Sequence, residues 1–170
     1  DRAGPRMRQC LERLSELARE PIEILAWDGR MGGDWIPGEY TSTGKTPEVT
    51  DASSTSDFIK THSPDLFLYA GGDGTTRDIV EALGEREIPL VGVPGGVKMH
   101  SGCFATTPKA AAEVVWSFVT GDLMLARTEV MDLDEEVYRK GEWKVKMYGE
   151  AFTPASPRWM RGAKEQVQRE

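Results

Sequence analysis

Asp73 is the only charged residue in the run Gly71-Gly72-Asp73-Gly74-Thr75, and that setting suggests chemistry. Glycines let a backbone turn sharply and approach a ligand without a Cβ in the way. A helix that begins there points unpaired amides outward, and with the helix dipole these favour an anion such as phosphate. A carboxylate in the same place repels phosphate unless it holds a metal ion or takes a proton. Taking a proton from an attacking hydroxyl is what phosphoryl transfer to a small molecule needs. The alternative without chemistry is that Asp73 only caps the helix, a position aspartate fills well; the residues by themselves leave both open. A second group lies in residues 93–102, VPGGVKMHSG. Gly95 and Gly96 could present backbone amides to a phosphate, Lys98 could neutralise one, and His100 is a further polar candidate. The ordinary reading of Lys98 is a solvated surface lysine, and of His100 a structural one. Asp78 joins Asp73 as a candidate metal ligand.

The elements around these residues explain why the two groups belong together. Leu66, Phe67, Leu68, Tyr69 and Ala70 form a short apolar run, as in a strand buried on both faces of a parallel sheet. Past the glycines, Ile79, Val80, Ala82 and Leu83 recur at helical spacing, and Gly84 stands where a left-handed C-terminal cap belongs. The pattern repeats with a strand over residues 88–93, a glycine-containing loop, and a helix opened by Thr107 as cap and Pro108 at its first position. Two strand-loop-helix units in series imply parallel strands. Right-handed crossovers then place both loops at one carboxyl edge of the sheet, so residues 71–75 and 94–102 should face one crevice.

Elsewhere, residues 5–20 read as an amphipathic helix with Met7, Cys10, Leu11, Leu14, Leu17 and Ala18 on one stripe. No strand precedes that helix, although a doubly wound sheet normally opens with one, so a further upstream segment is expected. Residues 22–27 make a short strand. Residues 28–51 have no apolar period and are rich in Gly, Thr and Pro, which predicts a long surface loop. Gly44-Lys45-Thr46 within it is no P-loop, because position 39 carries Glu39 instead of glycine and no apolar strand comes before it. Residues 54–61 predict a short helix with Ser53 or Ser54 as N-cap. Beyond Gly121 the helical period gives way to strands over 123–133, 135–139 and 143–148, with Lys140-Gly141 as a hairpin turn. The expectation is an α/β fold with a doubly wound, mostly parallel sheet over residues 1–122. The start of an incomplete antiparallel β-rich domain follows over 123–170, with a polar tail from Pro154.

With 170 residues, 39% hydrophobic and 29% charged, the chain can bury a core, and its net charge of −7 with no Lys/Arg cluster argues against nucleic acid as a partner. No apolar run is long enough to span a bilayer. Cys10 and Cys103 are far apart in sequence, and with His62 and His100 they give no metal-type spacing, so a reduced, cytoplasmic setting is the expectation.

Three stretches taken together resemble the NAD kinase family: GGDGT at 71–75, GVPGGVKMHSGCFATTP at 92–108 and EVMDLDE at 129–135. They resemble in particular its archaeal and bacterial ATP-NAD kinase-like branch, which includes the acetoin-catabolism protein X. GGDGT is shared with the diacylglycerol and sphingosine kinases, whereas the second stretch is the more specific marker. The resemblance implies phosphorylation of NAD by ATP with magnesium, at the ribose 2'-hydroxyl, to give NADP. It implies Asp73 as the catalytic base, with Gly71, Gly72, Gly74, Thr75, Gly95, Gly96, Lys98 and His100 around the nucleotide phosphates, and a homo-oligomer. Characterised NAD kinases carry an asparagine where this chain has Pro94, and their later Asn-Glu pair has no match. Two other readings therefore stand beside the first: a non-catalytic nucleotide-binding or regulatory module, and a lipid or other small-molecule kinase of the same superfamily.

Overall fold

In the computed structural model, which describes residues 2–96, 98–133 and 145–161, the elements run in the order α1 (Ala3–Leu17), β1 (Leu25–Asp28), a single 3-10 turn at Gly33–Trp35, β2 (Thr41–Lys45), α2 (Ala52–Thr61), β3 (Phe67–Gly71), α3 (Asp73–Leu83), β4 (Leu90–Pro94), α4 (Pro108–Val119), β5 (Leu125–Leu133) and β6 (Val145–Pro154). The strand pair β3 and β4 is parallel and in register from Phe67 opposite Leu90 to Gly71 opposite Pro94. It is the centre of the molecule because it carries apolar residues on both faces. On one face Leu68 and Ala70, with Val91 and Val93, meet Cys10, Leu11 and Leu14 of α1 and the alanine- and valine-rich side of α4. On the other, Phe67, Tyr69 and Leu90 meet Ile79, Ala82 and Leu83 of α3 and Ile59 of α2. Small residues on α4, Ala110 to Ala112, bring α1 and α4 close enough to share that first core.

Helices thus cover both faces of β3 and β4, as a doubly wound fold requires, but the strands do not form the one larger sheet that was expected. Among the described residues they divide into three two-stranded sheets: β1 with β2 and β3 with β4, both parallel, and β5 with β6, antiparallel. The strand β2 corrects the loop expected over residues 28–51. Its sequence TSTGK has no apolar residue and sits mostly exposed, so no hydrophobic pattern announced it; backbone pairing to β1 holds it, with Leu25 opposite Thr41 and a register shift before Asp28. The cap of α2 is a second correction. Asp51, not Ser53 or Ser54, is the N-cap, and Ser54 stands at the third helical position and returns the bond, forming a reciprocal capping box. Thr107 caps α4 as expected, accepting from Ala110 N at 3.0 Å. Gly84 ends α3 with a positive φ of 60°.

β5 and β6 pair antiparallel with a bulge between Val130 and Met131, and β6 extends to Pro154, beyond the 143–148 expected. The strand expected at 135–139 and the turn at Lys140-Gly141 lie outside the described residues. This hairpin packs onto the α/β part: Val130 and Ala151 enter the core around Phe67 and Tyr69, and the hydroxyl of Thr153 donates to Leu90 O at 2.8 Å. The chain past Pro154 also returns to the core, which the polar tail did not suggest. Met160 is fully buried with Val91 and Ala105, and it bridges Ala105 through the backbone. Among the described residues no helix is long and apolar enough to cross a membrane.

Candidate functional site

The turn between β3 and α3 is set from below by a buried chain of polar atoms. Thr76, fully buried on the first turn of α3, donates through its hydroxyl to Gly72 O at 3.0 Å. The hydroxyl of Tyr69 lies 2.6 Å from Thr76 Oγ1 and 3.1 Å from Cys103 Sγ. Burial pushes the Tyr69 phenol well above its ordinary range and the Cys103 thiol up to about 11, so both stay neutral at physiological pH. They tie the first turn to the strand beneath it and to the segment that follows the second loop. Neither Tyr69 nor Cys103 was among the expected site residues.

On this base, Gly72 is the N-cap of α3 and makes no side-chain cap, while Asp73 occupies the first helical position. Asp73 is therefore not the helix cap that the simpler reading supposed. Its carboxylate reaches across to the second loop: Oδ1 accepts from Ser101 N at 2.8 Å and from His100 N at 3.1 Å, and Oδ2 accepts from His100 N at 2.9 Å. His100 Nδ1 stands 3.2 Å from Oδ2. The two loops expected at one carboxyl edge do meet there, and Asp73 joins them. Its side chain is 15% exposed and that of His100 33% exposed, so the carboxylate lies in the crevice wall and not free in water. Ser101, buried and also bonded through its hydroxyl by Met131 N at 2.9 Å, is a partner that the sequence reading missed.

The glycines separate by what surrounds them. Gly71 is required by packing, because a Cβ there would come within 2.7 Å of Thr75 Oγ1. A Cβ on Gly72 or Gly74 would meet nothing within 4 Å outside its own turn, and neither residue has a positive φ. At the N-cap glycine is favoured over alanine, which suits Gly72 to its place, whereas Gly74, inside the first turn, costs about 0.5–1 kcal/mol relative to alanine. With no internal contact that needs it, the gap above Gly72 and Gly74 is room for something that comes close to the backbone. Gly95 faces Gly71 O, 3.9 Å from where its Cβ would be, and Gly96 has a φ of +85°. Lys98 is exposed and makes no bond among the described residues. The arrangement thus joins a helix start with spare amides, two open glycines, one fixed carboxylate and one free ammonium, which is the equipment to hold a phosphorylated molecule with a hydroxyl near Asp73.

A family model described as the ATP-NAD kinase N-terminal domain matches residues 3–123, which takes in α1 to α4 and both loops. The chain belongs to the ATP-NAD kinase family. A protein named NAD kinase from Cytophaga hutchinsonii is similar to it, 36% identical over 78 residues, a stretch that is 44% of this chain and 26% of that relative. The chain thus spans about a quarter of the length of that relative.

For an ATP-NAD kinase family member the cation arrangement matters as much as the carboxylate. Among the described residues no group of three or more His, Cys, Asp or Glu side chains could hold a metal ion. Asp78 does not join Asp73, since five residues along a helix turn it away and it pairs with Arg77 at 3.4 Å. Arg77 also bonds Asp132 at 2.8 Å.

Proposed function

We propose that the full-length protein transfers the terminal phosphate of ATP, with magnesium, to the ribose 2'-hydroxyl of NAD, giving NADP. The observation that supports this most is the Asp73 carboxylate, fixed by two amides of the second loop between two glycine turns and not used as a helix cap. Family membership and the similarity to a protein named NAD kinase support the nucleotide part of the reading. In this reading Gly72 and Gly74 leave room for phosphates against the first amides of α3, and Gly71 and Thr75 shape the turn. Gly95, Gly96 and Lys98 face the same phosphates from the second loop. His100 holds Asp73 in orientation through its backbone amide and its ring. Asp73 accepts the proton of the attacking hydroxyl as the phosphorus–oxygen bond forms, and ADP leaves.

The test is NADP formation by the full-length protein incubated with ATP, magnesium and NAD beside an Asp73→Asn control. Product from the native protein and none from the variant supports the reading. A folded native protein that binds nucleotide and yields no NADP would favour the non-catalytic module. Pro94 gives that rival its one specific observation, because it ends β4 beside Gly71 and has no amide to offer a ligand.

A further inference from the structure

The loop after β4 has a third neighbour besides α3 and β5, and it comes from the start of the chain. We propose that Arg2 and Arg6, on the first turns of α1, form a cationic wall of the same crevice and hold the outer phosphates of the donor's polyphosphate chain over Gly96. This rests on the kinase reading above and extends it to residues outside both motifs.

Arg2 and Arg6 are four residues apart, hence on one face of the helix, and Arg6 N bonds Arg2 O. A Cβ placed on Gly96 would stand 2.9 Å from Arg6 Nη2, 3.4 Å from Arg6 Cζ and 3.7 Å from Arg2 Nη1. The guanidinium of Arg6 thus lies over Gly96, the one described residue of the loop with a left-handed φ, and glycine there is favoured by that φ. Gly95, the preceding residue, faces Gly71 O, so the residue under the arginines is next in the chain to one that meets the first glycine turn.

What separates this pair from ordinary helical arginines is the lack of any acceptor. Arg8 bonds Glu12 and Asp34 O, Arg13 bonds Glu16 and Glu113, and Arg77 bonds Asp78 and Asp132. Arg2 and Arg6 make no side-chain hydrogen bond or ion pair among the described residues, and neither does exposed Lys98 two positions past Gly96. In a chain of net charge −7 with acidic residues to spare, two guanidinium groups beside one glycine and without a counter-charge among the described residues leave room for an external anion. Two guanidinium forks suit a chain of phosphates, which presents several oxygens in a row for bidentate bonds.

Sodium tripolyphosphate is the probe, titrated calorimetrically into the full chain and into three variants: Arg2→Gln/Arg6→Gln, Arg6→Gln alone, and Arg19→Gln. Arg19 is exposed beyond the other end of α1, so its variant carries the same charge change away from the crevice. The expected result is tripolyphosphate binding by the native chain, weakened fivefold or more in the double variant and less than twofold in Arg19→Gln. The dependence of log Kd on log salt should also be shallower in the double variant. Melting temperatures should stay together, because neither arginine makes an internal bond; should the double variant unfold, Arg6→Gln is read by the same threshold. Weakening below fivefold, equal weakening in Arg19→Gln, or no tripolyphosphate binding by the native chain overturns the proposal. NADP formation by the native protein is measured alongside. If NADP forms and the arginine variants bind tripolyphosphate as the native chain does, only this inference fails; if NADP does not form, the kinase reading fails on its own account.

Discussion

In the proposed reaction Asp73 has two jobs, holding the loops together and accepting a proton, and the choice of substitution can separate them. In Asp73→Asn an amide oxygen in the place of Oδ1 still accepts from Ser101 N, at 2.8 Å and now as a neutral acceptor, while the NH2 in the place of Oδ2 can no longer accept from His100 N. Bonds to a charged acceptor contribute about 1.5–3 kcal/mol and neutral ones about 0.5–1.5, so the exchange costs about 1–2 kcal/mol. For a chain of this length that lowers Tm by about 2–8 °C. Asp73→Ala removes the acceptor altogether and leaves Ser101 N, on a residue 1% exposed, without a partner. That costs about 1–3 kcal/mol for the orphaned amide alone, in addition to the bonds at His100. Stability should therefore fall in the order native, Asn, Ala. Turnover should not follow that order: loss of a general base costs about 10²–10⁴-fold, and Asn is as poor a base as Ala, so both variants should be equally inactive. The assays are calorimetric melting and NADP formation, each on the full-length protein. Asn turnover within threefold of native would refute the base assignment. Equal losses of Tm in Asn and Ala would refute the bracing geometry.

Four other outcomes follow from the structure. Gly72→Ala meets no neighbouring atom but replaces a favoured N-cap residue, so it should cost only about 0.5–1 kcal/mol of stability yet weaken ATP binding. Gly92→Ala would bring a Cβ within 2.5 Å of Phe104 Cδ1, so it should destabilise by about 1–3 kcal/mol or more, read in a urea titration. Burial raises the Cys10 thiol to about 12 and the Cys103 thiol to about 11; both folded-state values lie above those of the unfolded chain. The native form then keeps two protons that the unfolded form has released, so the stability they contribute is intact below about pH 8.5 and declines as pH rises toward 11. The urea midpoint should fall across that window, and a thiol reagent should label neither cysteine until the chain unfolds. Thr153→Val removes the hydroxyl bonded to Leu90 O and should cost about 1–2 kcal/mol. A single shifted transition would place the β5–β6 hairpin in one cooperative unit with the α/β part, and two transitions would place it in a separate one.

The elements that came directly from sequence are those whose own residues hold them. β3, α3, β4 and α4 announce themselves because apolar runs and helical stripes are local patterns, and each is bounded by a glycine, a proline or a capping threonine. Their order, strand-turn-helix twice over, was enough to bring residues 71–75 and 94–102 to one edge, because crossover handedness leaves little choice. The sequence also marked Asp73 as chemically out of place among glycines. Tertiary structure decided the rest. β2 exists through backbone pairing with β1 and has no apolar side chain to betray it. How strands divide among sheets depends on which edges meet, which no single segment encodes. Asp73 was open to a capping role until the second loop's amides were seen to take its oxygens, and Ser101, Arg2 and Arg6 carry no local pattern at all. The two arginines come to Gly96 because α1 packs on α4 and β4, a contact made across about ninety residues of chain. Periodicity is written in neighbours along the chain, whereas a site is assembled from residues that only the packed core brings together.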